Sequence, residues 1–387
     1  MKVLHVAIGT YPTSENPIAG IFVKKLVEMQ RSKGLDSRVI NGINSWFGFL
    51  KSGFSLNAER FTFTNQRGIS RLPKLVQERY FSRLSAAFKK QCNFMPDVIH
   101  CHFANNAPLG QKLSLEFDCP YVVTLHENHW WFEEIIINDA QKYMSAITGS
   151  DIITRPNSID LIDLYKWNIP YEKLMYLPNY VDEDSFRISS EAERTRARNE
   201  LRIRRDKVIL NIASLDKNKG QELLIISTSV LKKKLPSFEV WIIGEGPEEK
   251  ALRDLSAQLG VQEDIKFLGR VENNKLQSYL SCADVFAMPS KAESFGISQV
   301  EGMLAGIPVV ATKNFGSEDI VMNGRNGFIA SSRDPREYAK LLFEAVNKNW
   351  DHHDIRRSAV ERFGGSAIYK IMMDLYTTAV KRYAKKS

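Results

Sequence analysis

The amino-acid sequence predicts an α/β protein made of two doubly wound, parallel-sheet units in tandem. Three observations carry this reading. Short, β-rich apolar runs alternate with helical segments through the first half of the chain. A polar and then densely charged stretch, Asn179 to Arg205, interrupts the pattern, which afterwards restarts. The length of 387 residues exceeds what one hydrophobic core usually serves.

Taken in order, the first buried strand spans Met1 to Gly9 and runs into a turn at Tyr11-Pro12. Phe22 to Lys33 has helical spacing, with Val23, Leu26, Val27 and Gln30 on one face. Further strands end at Gly42, His102 and His126, and two more are expected at Ala146–Thr148 and Asp151–Thr154. Asn179 to Ser190 is turn-rich, and Glu191 to Arg205 reads as a solvated helix. The second series of strands is Val208–Ala213, Val240–Gly244, Ile265–Gly269, Val285–Met288 and Val309–Ala311. Continuous apolar runs separated by helices imply parallel sheets covered on both faces. The expected division is residues 1–180, residues 181–365, and a C-terminal helix at 366–387 that crosses back onto the first unit. Ligands of such sheets gather beyond the carboxyl ends of the strands, so two units facing each other would enclose a central cleft.

Hydrophobic content of 43% and charged content of 25% are those of a soluble globular protein. No stretch approaches the roughly 18 uninterrupted apolar residues of a membrane span. The N-terminal apolar run is too short for a signal peptide, and a cytoplasmic location is expected. The net charge of +8 favours anionic partners, whether phosphates, nucleic acid or an acidic membrane surface, without choosing among them. Cys92, Cys101, Cys119 and Cys282 form no CxxC pair and are expected as reduced thiols. His100-Cys101-His102 resembles a metal cluster only superficially, because strand alternation sends Cys101 to the face opposite both histidines. No metal site is expected.

The richest stretch is Pro289 to Gly306, in which a buried strand leads into a helix near Gly296. A helix N-terminus presents free N–H groups and a positive dipole end to an anion. Glu293 precedes the helix and Glu301 lies eight positions later, inside it; both carboxylates can accept from sugar hydroxyls. On their own, two glutamates at this spacing favour an ordinary strand–helix unit with solvated acids.

The run Glu293-Ser294-Phe295-Gly296-Ile297 with Glu301 closely resembles the E-x7-E signature of family-4 retaining glycosyltransferases, which have the GT-B fold. The similarity continues through Gly306–Thr312, Gly316–Val321 and Asn323–Phe328, is strong over about residues 205–345, and weakens before that. The resemblance implies a retaining transfer of a sugar from a nucleotide-diphosphate donor to a hydroxyl of a glycan or lipid-linked acceptor, in polysaccharide or glycoconjugate assembly. It implies that Glu293 contacts the transferred sugar, Glu301 the ribose, and the amides of Phe295, Gly296 and Ile297 the sugar and diphosphate. Lys219 matches the lysine that grips the diphosphate. Ser214 stands where many relatives carry an arginine; a serine cannot neutralise charge, so either Lys219 acts with another cation such as Lys217 or donor binding is weakened.

In the first half, Pro17 to Lys25 resembles the family's first glycine loop, placing Gly20 beside the donor phosphates or simply at a tight turn. His126 matches the histidine that faces the reacting sugar, with His102, Glu127 and His129 as acceptor-side candidates and Trp130 and Trp131 as core or lid. Pro178 to Asp182 resembles the family's hinge motif. Asp182-Glu183-Asp184 sits in that hinge and is not read as a metal-binding DxD; the GT-B resemblance implies no metal and no other cofactor. No nucleic-acid partner is expected. Between Arg67 and Lys90, basic residues interleave with apolar ones, which suits either a helix packed on its own sheet or attraction to the anionic inner face of the cell membrane. Two other classes share these features, a nucleotide-sugar epimerase and a non-catalytic nucleotide-sugar-binding protein.

Overall fold

The computed structural model describes residues 1–8, 11–12, 20–45, 54–56, 60–66, 74–127 and 143–385. It divides into two compact units, Met1–Tyr180 with Ile368–Ser387, and Val181–Ala367.

The strands of the N-terminal unit are β1 (Lys2–Val6), β2 (Asp36–Ser45), β3 (Phe54–Leu56), β4 (Arg60–Gln66), β5 (Val98–His102), β6 (Tyr121–Thr124), β7 (Ile152–Arg155) and β8 (Leu174–Tyr176). They form one sheet in the order β3-β4-β2-β1-β5-β6-β7-β8, parallel except for the β3–β4 pair. The helices are α1 (Ile21–Ser32), α2 (Lys74–Gln91), α3 (Ala107–Phe117), α4 (143–149) and α5 (Ser158–Asp163).

Alternation along the central strands builds two different cores. Leu4, Ile99, Cys101, Val123 and Ile153 pack on one face with Phe88, Leu113 and Phe117 of α2 and α3. Val3, Val98, Val122 and Ile152 pack on the other with Leu26 and Met29 of α1 and with the last helix of the chain. That helix, Gly365–Tyr383, contributes Ile368, Met372, Leu375, Tyr376 and Ala379 to this core.

Residues 146–148, expected as a strand, belong to helix α4. Tyr143, Ala146 and Ile147 are buried while Ser145 and Gly149 are exposed, a helical spacing hidden by the β-rich composition of so short a run. Helix α2 buries Phe81, Leu84 and Phe88, the last edge-on to Phe117 with centroids 5.9 Å apart. Its apolar face is therefore covered by its own core, while Arg79, Arg83, Lys89 and Lys90 are exposed. Arg67 and Arg71 lie outside the described residues. Among the described residues, no helix is long and apolar enough to cross a membrane.

The C-terminal unit is a six-stranded, all-parallel sheet. Its strands are β9 (Lys207–Ile212), β10 (Phe238–Ile243), β11 (Ile265–Gly269), β12 (Val285–Met288), β13 (Val309–Thr312) and β14 (Gly327–Ala330), in the order β11-β10-β9-β12-β13-β14. The helices are α6 (Glu191–Glu200), α7 (Gln221–Leu231), α8 (Glu249–Gln258), α9 (Leu276–Cys282), α10 (Ile297–Leu304), α11 (Phe315–Ile320), α12 (Pro335–Asn347) and α13 (His352–Phe363), so the last helix of the chain is α14. Helix α6 opens with a reciprocal capping box between Ser190 and Glu193. It ends earlier than the charged run suggests, where Arg202 turns left-handed at φ 53°. In each sheet the strand order runs outward in both directions from a central strand, the arrangement of a doubly wound, Rossmann-like unit.

Helix α3 approaches β5 at Gly110, where an added Cβ would overlap Cys101 Sγ. Gly110→Ala should therefore destabilise the protein by about 1–3 kcal/mol through overpacking. The double variant with Cys101→Ala should recover part of that loss in urea unfolding; strictly additive costs would show that the two sites do not touch.

Candidate active site

In the C-terminal unit, two loops meet at the carboxyl ends of β9 and β12. The first, residues 213–220, is shaped by Asp216, whose Oδ1 accepts from the Asn218 amide at 3.0 Å and the Lys219 amide at 3.3 Å. This Asx turn fixes the course of the loop. The Asn218 side chain then joins the second loop: Nδ2 donates to Ala292 O at 2.9 Å, and Oδ1 accepts from Ala292 N at 3.1 Å. Lys291 N donates to Asn218 O at 2.7 Å, a third bond between the same segments. Gly220, at φ 65°, starts α7 where a Cβ would overlap Pro289 O, so only glycine lets the loops close this far.

The clamp brings Lys219 to Glu293. The ammonium Nζ donates to Oε1 at 2.7 Å, with the carboxylate almost buried and the lysine less so. Gly316 N donates to Glu293 O at 2.9 Å, holding that loop from the side of α11. Immediately after Glu293, Gly296 takes φ 92° and begins α10; no side chain caps this end. Phe295 is buried, edge-on to Phe363 at 5.2 Å, so its contribution to a ligand can come only from its backbone. Ile297 opens the helix, and Glu301 lies one turn further on, half-buried. A cation, a hydroxyl-accepting carboxylate and a helix N-terminus thus stand together.

Ser214 donates Oγ to Asp216 Oδ2 at 2.6 Å, so its hydroxyl supports the turn. Lys217 is exposed. A different cation stands close by: Arg333 is exposed, lies beside Gly220 and donates Nη1 to Pro289 O at 2.8 Å. Neither Asn218 nor Arg333 was singled out from the sequence. The first had a local signal in the Asp216-x-Asn218 turn; the second follows β14, and only folding brings it near. Asp182 and Glu183 are engaged elsewhere, Asp182 Oδ2 with Ser185 Oγ at 2.6 Å and Glu183 Oε2 with Gly365 N at 2.8 Å.

In the N-terminal unit, Gly20 caps α1 at φ 58° and its carbonyl accepts from Val23 N at 2.9 Å. His126 follows β6 and packs against Phe22 (4.7 Å between centroids) and Phe103 (5.0 Å). Its Nε2 is 3.0 Å from His102 Nδ1, so the structure brings these two candidates together. Glu127 is buried; Oε1 accepts from Ala104 N at 2.7 Å, and burial raises its carboxyl above the usual range. Arg155, fully buried, pairs with Asp160 and donates to Leu125 O at 3.3 Å. His129, Trp130, Trp131 and residues 17–19 lie outside the described residues.

His5 and His100 join the same cluster from β1 and β5. Burial lowers His5 to about 4 and His126 to about 3, the latter helped by the Arg155 guanidinium and opposed by Asn179. Burial likewise holds His100 and His102 well below 6.5, with the neighbouring rings adding to the effect. All four rings are neutral in the fold near pH 7.

Residues 193–362 match the family described as glycosyl transferases group 1. An uncharacterized glycosyltransferase of Methanocaldococcus jannaschii is 27% identical over 74% of this chain and 76% of its own length. A GDP-mannose-dependent alpha-(1-6)-phosphatidylinositol monomannoside mannosyltransferase of Mycobacterium tuberculosis is 29% identical over 51% of this chain and 53% of its own. The Anabaena protein HepE, solved in complex with UDP, superposes with a TM-score of 0.77 at 19% identity, covering 98% of this chain and 100% of its own. The chain is a glycosyltransferase, a hexosyltransferase-type enzyme of GT-B fold, and its similarity to the group 1 glycosyl transferases lies in the C-terminal unit.

Because the four histidines are depressed in the fold, unfolding at acid pH takes up protons. Their contribution is fully present above the ordinary value of 6.5 and is lost as pH falls towards the folded values of about 4 and about 3. The urea midpoint should therefore fall between pH 7 and pH 5, each histidine adding up to about 1.4 kcal/mol per pH unit. A midpoint that stays flat over this range would contradict neutral burial. In the other unit, Asn218→Ala should cost about 1–3 kcal/mol by leaving the Ala292 amide and carbonyl without their partner.

Proposed function

We propose that the protein is a retaining, family-4 type glycosyltransferase that moves a sugar from a nucleoside diphosphate to a hydroxyl of a glycan or lipid-linked acceptor. The observation that carries this is the Lys219–Glu293 pair at 2.7 Å beside the uncapped N-terminus of α10. In this reading Lys219 Nζ and the amides of Phe295, Gly296 and Ile297 bind the diphosphate, while Glu293 and Glu301 accept from sugar and ribose hydroxyls. The spacing of those two glutamates is the E-x7-E pattern read from the sequence. Arg333, exposed beside Gly220, adds positive potential where Ser214 cannot.

The chemistry follows from charge. As the bond between the anomeric carbon and the diphosphate oxygen breaks, negative charge grows on the leaving group, where preorganised N–H dipoles and an ammonium stabilise it most. The acceptor oxygen bonds to the anomeric carbon on the face that the phosphate leaves. Its proton passes to the departing phosphate. Lys219 and the helix dipole take the place of a divalent metal in this scheme, and no cofactor is invoked. In the N-terminal unit, His126 is a neutral base that accepts from a sugar hydroxyl, with Gly20 near the phosphates and His102 and Glu127 supporting the substrate. Microbial polysaccharide or glycoconjugate assembly is the setting most consistent with the curated relatives, and the exposed Arg79, Arg83, Lys89 and Lys90 would favour the inner, anionic membrane surface.

A panel of nucleotide sugars screened by thermal unfolding tests this directly. One donor should raise the midpoint by several degrees at saturating concentration, and Glu301→Ala should abolish the shift. With that donor, Lys219→Met should lower kcat by about 10²–10³-fold, and NMR of the first-formed product should show the donor's anomeric configuration. An inverted product would discard the retaining mechanism. Consumption of donor without acceptor, giving an epimer, would replace transfer by epimerisation.

A further inference from the structure

A single line of hydrogen bonds links the buried histidines to Gln30 on α1, and its direction can be read from elementary donor and acceptor rules. Gln30 is fully buried. Its amide nitrogen donates to Tyr376 Oη at 3.0 Å and lies 3.4 Å from Met372 Sδ. A thioether accepts but cannot donate, so the NH2 end of the amide faces Met372 and the carbonyl oxygen faces away. That oxygen accepts from Ser37 Oγ at 2.5 Å and has His5 Nε2 at 2.8 Å.

A neutral imidazole has one N–H and one lone pair. His5 Nε2 faces a carbonyl and must carry the proton, which leaves His5 Nδ1 as an acceptor. His102 Nε2 stands 2.9 Å from it and must donate. His102 Nδ1 is then an acceptor, and His126 Nε2, 3.0 Å away, carries the proton. His126 Nδ1 is left as a lone pair, buried beside the Asn179 side chain, with no hydrogen bond of standard geometry among the described residues. His102 and His126 border a cavity of about 10 Å³ with Phe22, Asn179 and Tyr180.

The other branch closes consistently. Tyr376 Oη, having accepted from Gln30, donates to His100 Nδ1 at 2.8 Å, and His100 Nε2 donates to Thr124 Oγ1 at 2.6 Å. Thr124 then pairs with Thr154 at 2.6 Å. His5, His100 and His102 hold nitrogens within 4.8 Å of one another, a spacing that a metal could use. A cation there would have to break this line, since the facing nitrogens of His5 and His102 share one proton across 2.9 Å.

We infer that Gln30 is a positioning residue: through His5 and His102 it holds His126 as the Nε2–H tautomer and leaves Nδ1 as the acceptor for a substrate hydroxyl. The last clause rests on the transferase reading above; the tautomer assignment does not.

The test is imidazole ¹⁵N–¹H correlation NMR of the full chain with labelled histidine, the His126 signals being identified by their loss in His126→Gln. The wild type should show the proton on Nε2 of His5, His102 and His126. Gln30→Met, which keeps the volume but removes the carbonyl acceptor, should release the preference, giving both His126 tautomers and a loss of about tenfold in kcat/KM, the worth of one hydrogen bond. Gln30→Glu keeps an acceptor for His5 and should retain the Nε2–H form. A proton on Nδ1 of His126 in the wild type overturns the inference whatever the variants do, as does a tautomer unmoved by a folded Gln30→Met. The expected tautomers with no transfer from any donor would instead refute the functional reading and leave the relay standing.

Discussion

The structure depends on burying parallel strands on both faces. A strand such as β5, with all five residues inaccessible, has no polar side to turn outward. Each central strand must therefore divide its residues between two apolar layers, and helices must cover both. One layer of the N-terminal unit cannot be completed by the first 180 residues. The chain returns at its end to supply α14, whose Met372 and Tyr376 fill the layer over Val98 and Val122. The same arrangement leaves the carboxyl ends of the strands as the place where loops and helix N-termini collect, and every candidate residue described above lies there.

At those ends, polar groups are retained only where partners are complete. The C-terminal unit solves this with local chain geometry. Asp216 bends one loop, Asn218 ties it to the next, and the backbone contact over Gly220 removes the space between them. The result sets an ammonium against a carboxylate next to an uncapped helix end, a pairing that orders both groups before a ligand arrives. The N-terminal unit solves the problem with side chains from four different elements. His5, Gln30, His102 and Tyr376 replace water for one another, and their order dictates which nitrogens carry protons.

This contrast explains how much of each site could be read from the sequence. Glu293, Gly296, Glu301 and Lys219 sit in contiguous, patterned segments whose geometry is largely local, a strand end, a left-handed glycine and a first helical turn. The histidines were visible singly, His126 and His102 as strand-end residues and His100 as part of a rejected metal motif. Their connection was not, because Gln30 looked like one more residue on the buried face of α1. The error at residues 146–148 has the same origin. Three apolar or β-branched residues satisfy either period, and only the neighbours at 143 and 150 decide between them.

By itself, the sequence determined the alternation of strands and helices, the restart after residue 180, and the glutamate–glycine–glutamate block at a helix start. All of these depend on spacing within a few turns of chain, and hydrophobic periodicity reports such spacing directly. Tertiary structure alone decided that Arg333 stands beside Gly220, that the Ser214 hydroxyl serves the Asp216 turn, and that Met372 orients Gln30 and hence three histidines. These pairings join residues far apart in sequence, and no local preference records which distant partner a buried donor or acceptor will find.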